Sequence, residues 1–218
     1  MKHFHPLGLL FLAVFAGWME QSAAQETVEA VLDQDSFAGR LTAAALERTT
    51  HKVTYDPAYV TLDYPGGDVP DDKGVCTDVV IRSYRKLGLD LQKLVHEDMV
   101  AHFSQYPKIW GMKRTDRNID HRRVPNLQKF FARHDAELKV TKDRADYLPG
   151  DLVAWDLNGK SLWHIGIVVE KPGVAGSRWI VHNIGNGPQV QDCLFDWTII
   201  GHYRYAPPEA SVKEGSGG

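Results

Sequence analysis

The chain has 218 residues, a formal net charge of −3, and 43% hydrophobic residues that include six Trp, eight Tyr and eight Phe. That length accommodates one domain of moderate size with a real core, and the aromatic content excludes a disordered chain, because such side chains bury large areas on compaction. The slightly acidic balance excludes an electrostatic grip on DNA or RNA.

Lys2, His3 and His5 precede an apolar run over 7–19, and Ser22 and Ala24 stand where a signal peptidase reads small residues. The run is 13 residues long, against roughly 20 for a membrane span, so residues 1–24 read as a cleaved export signal and not as an anchor. No cysteine follows it, which excludes lipid attachment there. The signal carries one basic residue, Lys2, and one acidic residue, Glu20, so a mature chain from about Gln25 keeps the charge of −3. The expected product is a soluble protein outside the cytoplasm, with no stable membrane insertion.

Helical periodicity follows over 26–53, with Val28, Val31 and Leu32 on one face and Leu41, Ala45 and Leu46 later. Residues 54–74 are dense in Pro, Gly and Asp and read as an ordered loop leading to Cys76. From Thr77 the spacing of Val80, Tyr84 and Leu87 predicts a helix that stops at Gly88. Amphipathic segments over 90–107 and 126–135 predict two more helices. After "DYLPGD" the texture changes to β-branched and aromatic runs at 151–157, 162–170, 178–185 and 201–207. Asn158-Gly159 predicts a tight hairpin between the first two. Helices first and antiparallel strands afterwards make an α+β fold over 25–206, with a flexible tail at 207–218.

Only two cysteines are present, Cys76 and Cys193. Cys76 has three readings: half of a disulfide to Cys193 in an oxidising compartment, a small buried hydrophobe, or a nucleophile whose thiolate is favoured by the helix N-terminus. His164 lies in "LWHIGIVVE" with Gly166 and Val168 on its face of the strand, a setting that suits either a general base or a satisfied core histidine. His182, followed by Asn183, repeats the pattern on the next strand. A thiol, an imidazole base and a polar group that orients the imidazole are what acyl transfer by cysteine requires, and either His182 or Asn183 suits the third role. A zinc site built from His164, His182, His202 or the acids of "DRNIDH" lacks metal-ligand spacing. No cofactor is expected.

Taken together, "GVCTDVVIRSYRKLGLDL", "LPGDLVAW", "HIGIVV" and "WIVHN" resemble the NlpC-type cell-wall peptidases, a bacterial branch of the papain-like fold, over roughly 64–185. The resemblance implies a nucleophile at Cys76, a base at His164 and an orienting residue at His182. It also implies an oxyanion tyrosine, for which Tyr64 is the matching position, with Asn183 as a second auxiliary residue. One departure stands out: Asp78 replaces the small residue that normally follows the nucleophile by two. A carboxylate there opposes thiolate formation unless it turns away to cap or salt-bridge. The string "DHRRVPN" marks the chain as an uncharacterised family within that group. In it, Asp116, Asp120, Arg122 and Arg123 read as a salt-bridged loop, or Asp120, His121, Arg122 and Arg123 as a substrate site in which an arginine grips a carboxylate of a stem peptide. The implied activity is hydrolysis of an amide bond in peptidoglycan. Competing expectations are a non-catalytic envelope binding module with a Cys76–Cys193 disulfide, and a thiol hydrolase of some other amide.

Overall fold

The computed structural model describes residues 33–206. The expected export signal, the early positions Val28, Val31 and Leu32, and the expected tail lie outside the described residues.

Helix α1, Phe37–Arg48, starts where Ser36 accepts a hydrogen bond from the Gly39 N–H at 3.0 Å, satisfying one of the donors a helix start leaves open. Two short strands, β1 (Thr54–Tyr55) and β2 (Lys73–Gly74), then pair in parallel around the long loop. That loop is ordered by side chains from the next two helices. Arg82 donates to the carbonyls of Val69, Pro70, Asp71 and Lys73 and to the Asp68 carboxylate. Gln92 accepts from the Gly67 N–H and donates to the carbonyls of Asp63 and Arg117.

Helix α2, Cys76–Lys86, begins one residue before the predicted start. It ends at Gly88, whose φ of 83° lets the Leu89 N–H return to the Tyr84 carbonyl. Helix α3, Leu91–His102, is capped by Asp90, and helix α4, Val124–Arg133, has Pro125 in its first turn, where a missing N–H costs nothing.

The remaining strands are β3 (Glu137–Leu138), β4 (Leu152–Asp156), β5 (Trp163–Val169), β6 (Trp179–His182), β7 (Gln189–Gln191) and β8 (Thr198–Tyr203). They form one six-stranded sheet in the order β3-β8-β4-β5-β6-β7, with every pair antiparallel. The α+β class therefore stands, with four helices among the described residues. β3 and β7 carry too few residues for a period to register, so the sequence showed four strands where the sheet has six. β4 and β5 are antiparallel neighbours as expected, but not through a two-residue turn. The connection runs over 157–162, where the Asp156 carboxylate accepts from the N–H groups of Asn158 and Ser161.

Alternation along the strands splits the core in two. Leu152, Ala154, Ile165, Ile167, Val169, Val181 and Tyr203 face the helices. Val153, Trp155, Val168 and Ile180 face the other way, against Tyr147, Cys193 and Leu194. Among the described residues, no helix is long and apolar enough to cross a membrane.

A fully buried carboxylate joins the neighbouring strands β4 and β8. Asp151 accepts from His202 Nε2 at 2.7 Å, from Arg204 Nε at 2.7 Å and Nη2 at 2.9 Å, and from the Leu148 N–H at 2.8 Å. Removing one partner of a buried charged network strands the rest. Asp151→Ala is expected to lower unfolding free energy by about 3 kcal/mol in urea titration, whereas Lys86→Ala, which breaks an exposed pair with Glu47, is expected to change it by less than about 1 kcal/mol.

Candidate active site

Cys76 is the first residue of α2 and belongs to the cluster on the helix side of the sheet. Its neighbour two residues on, Asp78, takes the protective course. Asp78 Oδ2 accepts from the Val75 N–H at 2.7 Å, capping the helix, and the two carboxylate oxygens take Arg122 Nε and Nη2 at 2.9 Å each. Both side chains are almost completely buried, at 3% and 2% exposed. The buried charge is thereby paired, although the carboxylate still disfavours a thiolate at Cys76. Thr77 Oγ1 donates to the Arg122 carbonyl at 3.2 Å, and Arg122 also donates to the carbonyls of Ala58 and Asp56. One guanidinium thus joins the helix start, the loop before it and the 120–122 turn.

The thiol meets the sheet at β5. Hydrogen-bonding N–H groups of Ile165, Thr77 and Cys76 itself favour its thiolate, but burial is the larger effect and pushes the thiol up to about 12. β6 joins β5 only from Ile167 onward, so the first half of β5 has no β6 neighbour where the thiol reaches it.

His164 precedes Ile165 and so points to the opposite face, with its ring centroid 5.9 Å from that of Trp155 and 6.2 Å from that of Trp197. There His164 Nε2 lies 2.7 Å from His182 Nδ1, and His182 Nε2 lies 2.6 Å from Gln191 Oε1. Gly166 makes this approach possible. A Cβ on it would sit 2.5 Å from Ile180 Cγ2 and 3.2 Å from His182 Cβ, so any larger residue would force β6 away. Burial among aromatic rings, helped by the neighbouring His182, pushes His164 down to about 3, and burial lowers His182 too. Both rings are neutral at ordinary pH. Among the hydrogen bonds of the described residues, none joins the Cys76 thiol to either imidazole.

The other expected residues divide. Asn183 donates to the Gly74 carbonyl at 3.3 Å and so ties the end of β6 to the loop before Cys76 instead of orienting a histidine. Tyr64 is not beside the thiol: its ring packs on His96 at 5.2 Å, with Arg117 5.7 Å away. The tyrosine that feels Cys76 is Tyr55 of β1, pushed up to about 12 by burial and then by Cys76 and Asp78. No motif flags it, because β1 carries only two residues.

Arg122 is consumed by Asp78 and is not available to a substrate carboxylate, which corrects that expectation. Asp120 accepts from the Asp116 N–H at 2.5 Å and lies 3.5 Å from Arg123 Nη1, and burial pushes it up to about 6. His121 is buried with no protein partner at Nδ1, and burial beside Arg122 pushes it down to about 3. Buried as they are, neither is placed to contact a substrate, and the segment works as a salt-bridged clamp. Only Arg123 keeps some exposed surface, its guanidinium 4.6 Å over the Trp110 ring. Cys76 and Cys193 are both free thiols, in the two separate core clusters, so the expected alternative of a disulfide does not hold. His202 belongs to the Asp151 network and not with His164 and His182. Among the described residues no group of three or more His, Cys, Asp or Glu is placed to hold a metal.

The family model described as "Domain of unknown function (DUF1287)" matches residues 42–205. A protein of Escherichia coli (strain K12) described as "Uncharacterized protein YijF" is 55% identical over 151 residues, which are 69% of this chain and 73% of that protein. No solved structure matches. These findings correct the resemblance drawn from the motifs: the family matched is a different one from the NlpC-type peptidases, and no comparison points to the papain-like group.

Two predictions follow from the buried charges. Arg122→Ala leaves the Asp78 carboxylate buried and unpaired, and is expected to cost about 3–5 kcal/mol in urea unfolding. Acid is expected to weaken the fold. His121 and His164 fall from an ordinary 6.5 to about 3, so the unfolded chain takes up their protons first and stability is lost as pH falls through that range. Asp120, raised from 3.8 to about 6, acts in the opposite sense but is one group against two. Unfolding free energy measured at pH 7, 5 and 4 should therefore decline, and His121→Leu should flatten the decline.

Proposed function

The chain belongs to the DUF1287 family, and from the geometry of its site we propose that it is an exported thiol hydrolase that cleaves an amide bond in peptidoglycan. The observation that carries this reading is the meeting of three groups at β5. A helix-start thiol lies against the Ile165 N–H, His164 is the residue before, and the second nitrogen of His164 is held by His182 and Gln191.

Because both thiol and imidazole rest neutral, proton transfer accompanies attack instead of preceding it. On substrate binding His164 Nδ1 closes on the thiol past the first half of β5, where β6 does not pair, and takes the S–H proton as Cys76 Sγ bonds to the amide carbonyl carbon, while the carbonyl oxygen takes the negative charge. The N–H groups at the start of α2 and the Tyr55 hydroxyl are the donors assigned to that charge. Collapse breaks the C–N bond, with the His164 proton passing to the departing amine. Water, deprotonated by His164, then attacks the thioester and releases Cys76 as the thiol.

The substrate class draws support from two features. The expected export signal delivers the chain to the cell wall. Arg123, stacked on the half-exposed Trp110, which packs edge-on against Trp163 at 5.7 Å, offers a guanidinium and indole surface beside β5 for a peptide carrying free carboxylates. A non-catalytic envelope binding module is favoured by a different observation, the burial of Cys76 at 5% exposure with no bond to an imidazole.

Incubation of the mature protein with purified sacculi, read by mass spectrometry of soluble products, separates the two. New muropeptides are expected from the native chain, with rates at least about a hundredfold lower for Cys76→Ala and for His164→Ala. Identical product profiles for native chain and Cys76→Ala would overturn the proposal.

A further inference from the structure

Two groups, the half-buried Gln191 and the buried Cys193, lie at one nitrogen of His182. Gln191 Oε1 lies 2.6 Å from Nε2, and Cys193 Sγ lies 3.7 Å from the same atom. Only one of them dictates protonation: a carboxamide oxygen carries only lone pairs and requires N–H at Nε2, whereas a thiol can donate its S–H to a bare Nε2 or accept weakly from an N–H there. A separation of 2.6 Å is full hydrogen-bond distance, and 3.7 Å is a weak contact even for sulfur, so the oxygen prevails.

The consequence passes along the pair. With the proton on Nε2, His182 Nδ1 is bare and accepts from His164 Nε2 across 2.7 Å. His164 Nε2 therefore holds its proton, and His164 Nδ1 is left with a lone pair. We propose that Gln191 is the positioning residue of this site, holding both imidazoles in the Nε2–H tautomer so that His164 Nδ1 is free to take the Cys76 proton. The Gln191 contact raises the proton affinity of His182 against the lowering effect of burial, as an accepting oxygen should.

The position of Gln191 suits this role. It sits on β7, the edge strand next to β6, and with Cys193 it lines a cleft of about 500 Å3 walled by Trp179, Val190 and Trp197. If the carboxamide is removed, Nε2 is left to the Cys193 S–H or to water entering that cleft. Each can donate to a bare Nε2 or accept from an N–H there, so nothing then holds the proton on Nε2 and both rings are free to reverse. In the reversed form His164 presents N–H at Nδ1, which cannot act as a base.

The role rests on Cys76 and His164 being nucleophile and base, but the tautomers themselves depend on no substrate. They are read directly from long-range 15N–1H correlation spectra of the full mature chain labelled at histidine nitrogen. In the native protein His164 and His182 are expected to show Nε2–H with bare Nδ1, and Cys193→Ala should leave this unchanged. Gln191→Glu, which keeps an acceptor, should preserve it, and Gln191→Leu should release the pair, so that Nδ1–H signals grow in on both rings. Iodoacetamide alkylation of Cys76 at pH 7, followed in the Cys193→Ala background, should slow with Gln191→Leu in proportion to the Nδ1–H fraction seen on His164, and stay at the native rate with Gln191→Glu. An Nδ1–H on either histidine of the native chain, spectra unmoved by Gln191→Leu, or alkylation indifferent to a switched pair would each overturn the assignment. Inactivity toward sacculi together with the expected tautomers and alkylation rates would strike the substrate reading alone and leave the role of Gln191 standing.

Discussion

The Asp78 carboxylate has one oxygen on the Val75 N–H and both on the Arg122 fork, inside a core that excludes water. Neither charge is tolerable there without the other, because each has given up its hydration. That necessity sets the positions of three separate pieces of chain. It fixes where α2 begins, holds the loop before it through the carbonyls of Asp56 and Ala58, and draws the 120–122 turn onto the helix start. Cys76 takes its place from this arrangement. Asn183 closes it from the far side by holding the Gly74 carbonyl.

The same burial decides the chemistry at the sulfur. A helix N-terminus contributes about 0.3–1 kcal/mol to an anion at exposed sites and up to about 2 in better geometries. Desolvation of a thiolate in an apolar cluster outweighs that, so Cys76 rests as the thiol. The histidines follow the same rule from the other direction: burial removes the charge of a base as surely as it removes that of an acid. A neutral thiol and a neutral imidazole make the direction of each ring proton decisive, and this gives the hydrogen-bond partners of His182 a weight that an exposed dyad would not give them.

Much of the frame was legible because it depends on period and on local caps. The 3.6-residue spacing of Val80 and Tyr84, and the glycine at Gly88, placed α2 to within a residue of its observed ends. Alternation in "LWHIGIVVE" put Ile165 and Ile167 on one face and His164 and Val168 on the other, as the two core clusters confirm. The condition stated for Asp78, that it must cap or pair, is met in both ways. Tyr55 and Gln191 were not legible, since strands of two and three residues have no period. The motif-level likeness to the NlpC-type peptidases did not survive comparison, because short strings at helix starts and strand ends follow common structural demands as well as descent.

The sequence by itself determined the α+β class, the central strands and helices, and the residue types able to do acyl chemistry, because these rest on local spacing and composition. Tertiary structure decided which arginine is spent on Asp78, which tyrosine lies near the thiol, and that Cys193 sits beside His182 and not beside Cys76. Those choices depend on sheet register and on the close approach that Gly166 permits. Register is a relation between strands, and no single strand carries it.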